Sequence, residues 1–310
     1  MTRRAIRVLL ALTAVATVSV PGFARASEMH ERASTLNNGA LLISAEDGVY
    51  TIYPDGSRKT LVSTWLRGGQ FSPDGKLIAW SGTVDGNTDV YITDDRGGSL
   101  RRVTKAATYE ATPTWSPDGK KLAFESCRPP GTCDVYTLNS TVPYGKAKRI
   151  TDSRVIPNGC DSFRYHNPKW SPRGNEIVVG GYCGIDNWYG DFIAIGITPQ
   201  GVPTREYGLA YSWDWNGNGT ALATDNASDN DQSGFSNIRW CLTSQTRCTE
   251  VTPDQTDDTE LSAEGPVVSP TTNLIAYRKG FDSNIWFNKP DGTRARLFMN
   301  SAVALDWRRW

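Results

Sequence analysis

Short strand-length runs rich in apolar residues recur along the chain, separated by polar turns, with no stretch of helical period. Leu77 to Ser81 and Leu122 to Glu125 are two such runs, each entered through a Ser-Pro-Asp-Gly turn. Proline sets φ at one turn position and glycine accepts positive φ at another, so the turn chemistry predicts strand, tight turn, strand. A third strand opens with Asp or Asn in every copy: Asp89-Val90-Tyr91-Ile92, Asp134-Val135-Tyr136, Asp191-Phe192-Ile193, Asn237-Ile238-Arg239-Trp240 and Asn284-Ile285-Trp286-Phe287. A polar hairpin such as Asp95-Arg96-Gly97-Gly98 then leads to a fourth strand.

The turn phrase is a repeat. Phe71-Ser72-Pro73-Asp74-Gly75 returns as Trp115-Ser116-Pro117-Asp118-Gly119, then as Trp170-Ser171-Pro172-Arg173-Gly174, Trp215-Asn216-Gly217-Asn218-Gly219 and Val268-Ser269-Pro270. The copies start 44, 55, 45 and 53 residues apart, the spacing of one supersecondary unit used several times. The pattern predicts an all-β fold, a six-bladed β-propeller of four-stranded antiparallel blades. Five full units start near residues 68, 110, 166, 210 and 264. The sixth comprises Leu41 to Ser44, Gly48 to Ile52 and Ser57 to Val62, and lacks a first strand. Ala304-Leu305-Asp306-Trp307 fits the gap, so the C-terminal strand joins the first blade and closes the ring, leaving no open edge. The segments between units leave room for a seventh blade; six is the preferred reading.

These residues and motifs identify the chain as similar to the TolB-like six-bladed propellers with WD-like Ser-Pro-Asp-Gly repeats. The resemblance covers about residues 38–310 and implies a propeller scaffold. About a dozen residues separate Ser27 from the first strand, too few for the amino-terminal α/β domain that resemblance to TolB itself would imply. The propeller also resembles the gating domain of prolyl-oligopeptidase enzymes, and the expectation is a propeller without the hydrolase domain of those enzymes.

The first 26 residues have the grammar of a signal peptide: Arg3, Arg4 and Arg7, an apolar run from Val8 to Val20, and Ala24-Arg25-Ala26 at the cleavage site. Thr2-Arg3-Arg4 loosely resembles a twin-arginine signal, and ordinary secretion is preferred. Residues 27–37 read as a flexible N-terminal segment, and 38–310 as the propeller. Removing Arg3, Arg4, Arg7 and Arg25 from the 33 basic residues leaves 29 against 33 acidic ones. A slightly acidic chain argues against nucleic acid as partner. No later segment is apolar enough for a transmembrane span. A secreted protein, extracellular or periplasmic and monomeric, is expected.

Six cysteines in an exported chain suggest disulfides. Cys127 ends a second strand and Cys133 precedes the third of the same blade. Cys241 and Cys248 face each other across a hairpin. Cys160 and Cys183 remain, in loops on one end of one blade. The expected pairs are Cys127–Cys133, Cys160–Cys183 and Cys241–Cys248.

Loops between second and third strands share a face with the connections between blades, and this face is the longer-looped one, rich in aromatic and acidic residues. Tyr109, Tyr165, His166, Tyr182, Trp188 and Tyr189 are its candidate partner-binding residues. Glu110, Asp186, Asp229, Asp231, Asp257, Asp258, Glu260 and Glu264 add carboxylates, and Thr112, Asn167, Tyr211 and Gly265 are expected along the channel. The acids Asp74, Asp118, Asp89, Asp134 and Asp191 recur in the repeat and are assigned to holding the blades. Asp214, Asn216, Asn218 and Asp225 have the spacing of a calcium loop. The same segment aligns with the ordinary repeat turn, which is the preferred reading, so no cofactor is expected. No Gly-x-Ser-x-Gly elbow, P-loop or His-Glu-x-x-His motif occurs. The chain therefore reads as a scaffold binding a protein, a peptide or a cell-envelope polymer, in preference to an enzyme. The alternative is a secreted carbohydrate-active enzyme or peptidase using carboxylates on the long-loop face.

Overall fold

The computed structural model describes residues 39–128, 132–155, 160–184, 192–227, 236–245, 247–252, 263–279, 283–293 and 295–308. These contain no helix, and so no helix long and apolar enough to cross a membrane. Residues 1–38, which include the expected signal peptide and N-terminal segment, lie outside them.

Twenty-four strands form six four-stranded antiparallel sheets. The first blade holds β1 (Leu41–Ala45), β2 (Gly48–Ile52) and β3 (Thr60–Ser63). The second holds β4 (Arg67–Phe71), β5 (Leu77–Val84), β6 (Asn87–Asp94) and β7 (Arg101–Arg102). The third holds β8 (Tyr109–Trp115), β9 (Lys121–Arg128), β10 (Thr132–Asn139) and β11 (Lys148–Arg149). The fourth holds β12 (Ser162–Trp170), β13 (Ile177–Gly184), β14 (Phe192–Ile197) and β15 (Pro203–Leu209). The fifth holds β16 (Trp213–Trp215), β17 (Ala221–Ala227), β18 (Ser236–Leu242) and β19 (Cys248–Glu250). The sixth holds β20 (Ala263–Val268), β21 (Ile275–Lys279), β22 (Asn284–Asn288) and β23 (Arg296–Met299). The last strand, β24 (Ala302–Trp307), pairs with β1, Leu41 opposite Trp307 and Ala45 opposite Ala302.

Closure is visible in the core as well as in the ladder. Six apolar clusters lie one at each junction between neighbouring blades. The cluster that joins the ends of the ring sets Val267, Ala276, Ile285 and Phe287 of the sixth blade against Leu41, Ile43, Ala304 and Trp307 of the first. Each blade buries both faces against its neighbours, which explains runs such as Ile78-Ala79-Trp80 with every residue 0% exposed. Past β24, the Arg308 N–H donates to the Ala40 carbonyl at 2.8 Å and its guanidinium pairs with Asp95 at 3.0 Å.

The repeated turn is held by its own side chains. Ser72 donates its hydroxyl to Asp74 at 2.6 Å, and Gly75, at φ 68°, donates to the Ser72 carbonyl at 2.8 Å. Ser116, Asp118 and Gly119 repeat the arrangement. The third-strand acids work between strands: Asp89 is fully buried and takes the Arg102 guanidinium and the Asn87 amide. Asp134 accepts from the Thr151 hydroxyl at 2.9 Å and the Ser153 N–H at 2.7 Å. Asp191 lies outside the described residues.

All three disulfides form between the expected partners. Cys127 and Cys133 sit directly opposite on β9 and β10, as do Cys241 and Cys248 on β18 and β19, with Cα–Cα distances of 4.0 and 4.1 Å. Cys183 is on β13 itself, so the Cys160–Cys183 bridge ties the entry of β12 to its neighbour.

Candidate functional site

The innermost strands β24, β4, β8, β12, β16 and β20 surround a central channel, and their equivalent residues form layers in it. At the end nearer the Ser-Pro-Asp-Gly turns stand Phe71, Trp115, Trp170, Trp215, Val268 and Trp307, with Pro73, Pro117, Pro172 and Pro270 around the rim. In four of the six blades the residue preceding this layer accepts a backbone N–H of the next blade. Asp306 accepts the Phe71 N–H at 2.7 Å, Gln70 that of Trp115 at 2.9 Å, Thr114 that of Trp170 at 3.1 Å, and Asp214 that of Val268 at 2.8 Å. Lysine cannot accept, so Lys169 breaks the series and instead pairs its ammonium with Asp214 at 3.4 Å. Burial pushes the Asp306 carboxyl up to about 7, with Lys169 pulling it down and Asp214 pushing it up. Burial pulls the Lys169 ammonium down, and the two carboxylates outweigh that and raise it.

At the long-loop end the inner strands carry a kink. Gly68, Thr112, Asn167 and Gly265 occupy equivalent positions with φ of 54°, 50°, 47° and 62°, each beside a break in the ladder. A bulge there frees one N–H from the sheet. In three blades that N–H goes to a side chain of the preceding blade: Thr112 to Ser81 at 3.0 Å, Asn167 to Glu125 at 3.4 Å, and Gly265 to Asp225 at 3.2 Å. Ser81, Glu125 and Asp225 hold the same repeat position on their second strands. Asp225 also takes the N–H groups of Tyr211 and Ser212 at 2.9 and 2.6 Å and the Ser212 hydroxyl at 2.6 Å. This pull on Tyr211 and Ser212 delays the start of β16 to Trp213, three residues after the expected 210. In the fourth blade β12 instead starts early, at Ser162, where the Cys160–Cys183 bridge anchors its entry.

Four of the six proposed contact residues are described. Tyr109, at the start of β8, is 49% exposed at the channel mouth. Tyr165 is half-buried, edge-on to Phe163 with ring centroids 5.0 Å apart, and packs against the third blade. His166 stands opposite Gly180, where a Cβ would overlap its imidazole, so the missing side chain makes the histidine's space. Burial lowers the His166 imidazole to about 4, leaving it neutral at pH 7. Tyr182 stands opposite Arg164, whose guanidinium lies over its ring at 5.9 Å. Trp188 and Tyr189 lie outside the described residues, as do Asp186, Asp229, Asp231, Asp257, Asp258 and Glu260. Glu110 is 5% exposed within the sheet, and Glu264 pairs with Arg278.

The four residues with calcium-loop spacing all hold protein partners. Asp214 serves Val268 and Lys169; Asn216 accepts from Thr220 and Ala221 at 2.9 and 3.0 Å; Asn218 accepts from Thr220 at 3.0 Å; Asp225 serves the channel mouth. Among the described residues one group, Glu125, Cys127 and Cys133, has metal-ligand proximity, but its two sulfurs are joined to each other.

Glu125, Lys169 and Asp306 were not singled out in the sequence. Each does stand at a repeat position filled by a different residue type in other blades, Lys169 where four copies carry the acceptors Gln70, Thr114, Asp214 and Asp306. That break in the repeat was the available signal.

Residues 56–182 match the family model of the TolB beta propeller domain. A curated relative named "Uncharacterized peptidase YuxL", from Bacillus subtilis, is 32% identical over 116 residues, 36% of this chain and 16% of that protein. "Uncharacterized protein Atu1656", from Agrobacterium fabrum, is 32% identical over 124 residues, 40% of this chain and 38% of that protein. The chain thus spans well under half the length of the curated relatives it matches. Among solved structures, TolB from Acinetobacter baumannii superposes with a TM-score of 0.66 at 18% identity, covering 92% of this chain and 71% of that one. The blade repeat and the ring closed by β24 make the chain a six-bladed β-propeller, similar over residues 56–182 to the TolB beta propeller domain.

Proposed function

We propose that this protein is an extracytoplasmic binding module whose long-loop channel mouth captures a protein, peptide or envelope polymer. The observation that carries the reading is the mouth itself. A rigid ring stapled by disulfides presents Tyr109 and Tyr211, 49% and 45% exposed, beside Tyr165, His166 and Glu125. Exposed tyrosines on a scaffold that loses little entropy on binding are efficient contact groups. The three disulfides support an oxidising compartment. Trp188 and Tyr189, outside the described residues, are assigned to the same surface on the sequence alone.

The test is capture from an extract of the producing cell's envelope by immobilised protein. A Tyr109→Ala, Trp188→Ala, Tyr189→Ala triple variant with an unchanged Tm should lose the captured component. Retention by that variant removes the mouth as the binding surface.

The second reading, a peptidase or carbohydrate-active enzyme, draws on the peptidase named among the relatives and on Glu125, whose carboxyl burial pushes up. Turnover of a peptide or polysaccharide panel, abolished by Glu125→Gln, would favour it over binding.

A further inference from the structure

Glu125 receives far less than the acid at its equivalent position in the fifth blade. Asp225, at the same position two blades on, takes four hydrogen bonds, three of them from backbone N–H groups. Glu125 Oε2 takes one long bond, from Asn167 N–H at 3.4 Å. Its Oε1 lies 3.1 Å from Cys127 Sγ, but that sulfur is bonded to Cys133 and has no proton to give. Burial pushes the carboxyl up, opposed by the Asn167 N–H and the Thr112 hydroxyl. Among the described residues no Lys or Arg pairs with it. A carboxylate so placed has unused acceptor capacity in a partly dry site, where a charge partner counts for most.

The surroundings define what could reach it. Tyr109 stands opposite Cys127 and Ala111 opposite Glu125, so Tyr109, Glu125 and the Cys127–Cys133 bridge share the face of the third blade that looks toward β12. Glu125 is two residues deeper than Tyr109, about 7 Å along the strand. A shaft opened along this face would have a phenol ring and a disulfide for walls and a carboxylate for its floor.

We propose that this shaft is a subsite for a basic side chain: a lysine or arginine of the partner lays its methylene stem along Tyr109 and the disulfide and sets its cation on Glu125. The proposal rests on the reading of the channel mouth as a binding surface and names the chemistry of its partner, an exposed peptide segment carrying Lys or Arg. A long apolar stem with a charged tip matches such a shaft, and an aromatic ring at its rim favours a cation passing over it. An amino sugar holds its ammonium directly on the ring and has no stem to span the depth.

The experiment titrates the purified protein at 0.15 M salt with acetyl-tetralysine amide, with the same peptide acetylated on every Nε, and with a glucosamine tetramer. Tetralysine should bind at least tenfold more tightly than the acetylated peptide, and Glu125→Gln should abolish that preference with no fall in Tm. Equal binding of the two peptides, no binding of tetralysine, or an undiminished preference in Glu125→Gln overturns the proposal. Tighter, Glu125-dependent binding of the glucosamine tetramer overturns the peptide assignment. If Glu125→Gln fails to fold, the preference of the unmodified protein between the two peptides decides. Loss of envelope capture in the triple variant, with no tetralysine preference, would leave the binding surface standing and this subsite refuted.

Discussion

Asp306 accepts the backbone N–H of Phe71 at 2.7 Å, across 235 residues of chain. The bond joins the last strand of the ring to the second blade, so it exists only when the ring is closed. Both groups are buried, Asp306 at 7% and Phe71 at 5% exposure. Asp306→Ala would leave the Phe71 N–H buried without an acceptor, at a cost of about 1–3 kcal/mol. Chemical denaturation should show that loss, and an unchanged midpoint would mean that the closure does not depend on this contact.

The same carboxyl has a pH signature. Folding raises it to about 7 from an ordinary 3.8, so the folded chain binds the proton more tightly than the unfolded one. Its contribution to stability is full below about pH 4 and is lost as pH rises through about 7. Relative to Asp306→Asn, the unmodified protein should therefore lose stability between pH 4 and 7. A constant difference in Tm between the two across that range contradicts the assignment.

Lys169 and Asp214 pair at 3.4 Å with side chains 17% and 11% exposed. Removing one partner strands the other charge, so Lys169→Met should cost about 3–5 kcal/mol. Adding Asp214→Asn should recover part of that, a non-additivity that a double-mutant cycle reads directly. Strict additivity would show the pair to be uncoupled.

The bridges should differ in worth. Cys160–Cys183 closes a separation of 23 residues and Cys127–Cys133 one of 6. On the loop-entropy account, replacing the first pair by serine costs about 3 kcal/mol and the second about 2. Equal or reversed losses in guanidinium denaturation would point to native-state effects instead.

Calcium should not stabilise the fold through Asp214, Asn216, Asn218 and Asp225, because their oxygens already serve protein donors. Millimolar Ca²⁺ should leave Tm unchanged, whereas a rise abolished by Asp214→Asn would restore the calcium loop.

Much of the fold was legible in the chain because its signals are local. A Ser-Pro-Asp-Gly turn is held by Ser72, Asp74 and Gly75 themselves, within a few residues, so each copy announces its own hairpin. Cysteines placed by that register, such as Cys127 opposite Cys133, could be paired from it. Even the closing strand was readable, since Trp307 is one more copy of the residue that precedes the turn.

The channel was not legible in this way. Residue types alone mark Tyr109 and His166 as candidates, but not that the absent side chain of Gly180 makes room for the imidazole. Nor do they show that Asp225 is saturated while Glu125 is not. Lys169, Asp214 and Asp306 come from three different blades, and their charges interact only because ring closure carries them into one low-dielectric space. Turn chemistry and strand alternation act between near neighbours and are written in order along the chain. Burial, hydrogen-bond saturation and charge coupling in the channel depend on six blades meeting around one axis, and only the closed ring decides them.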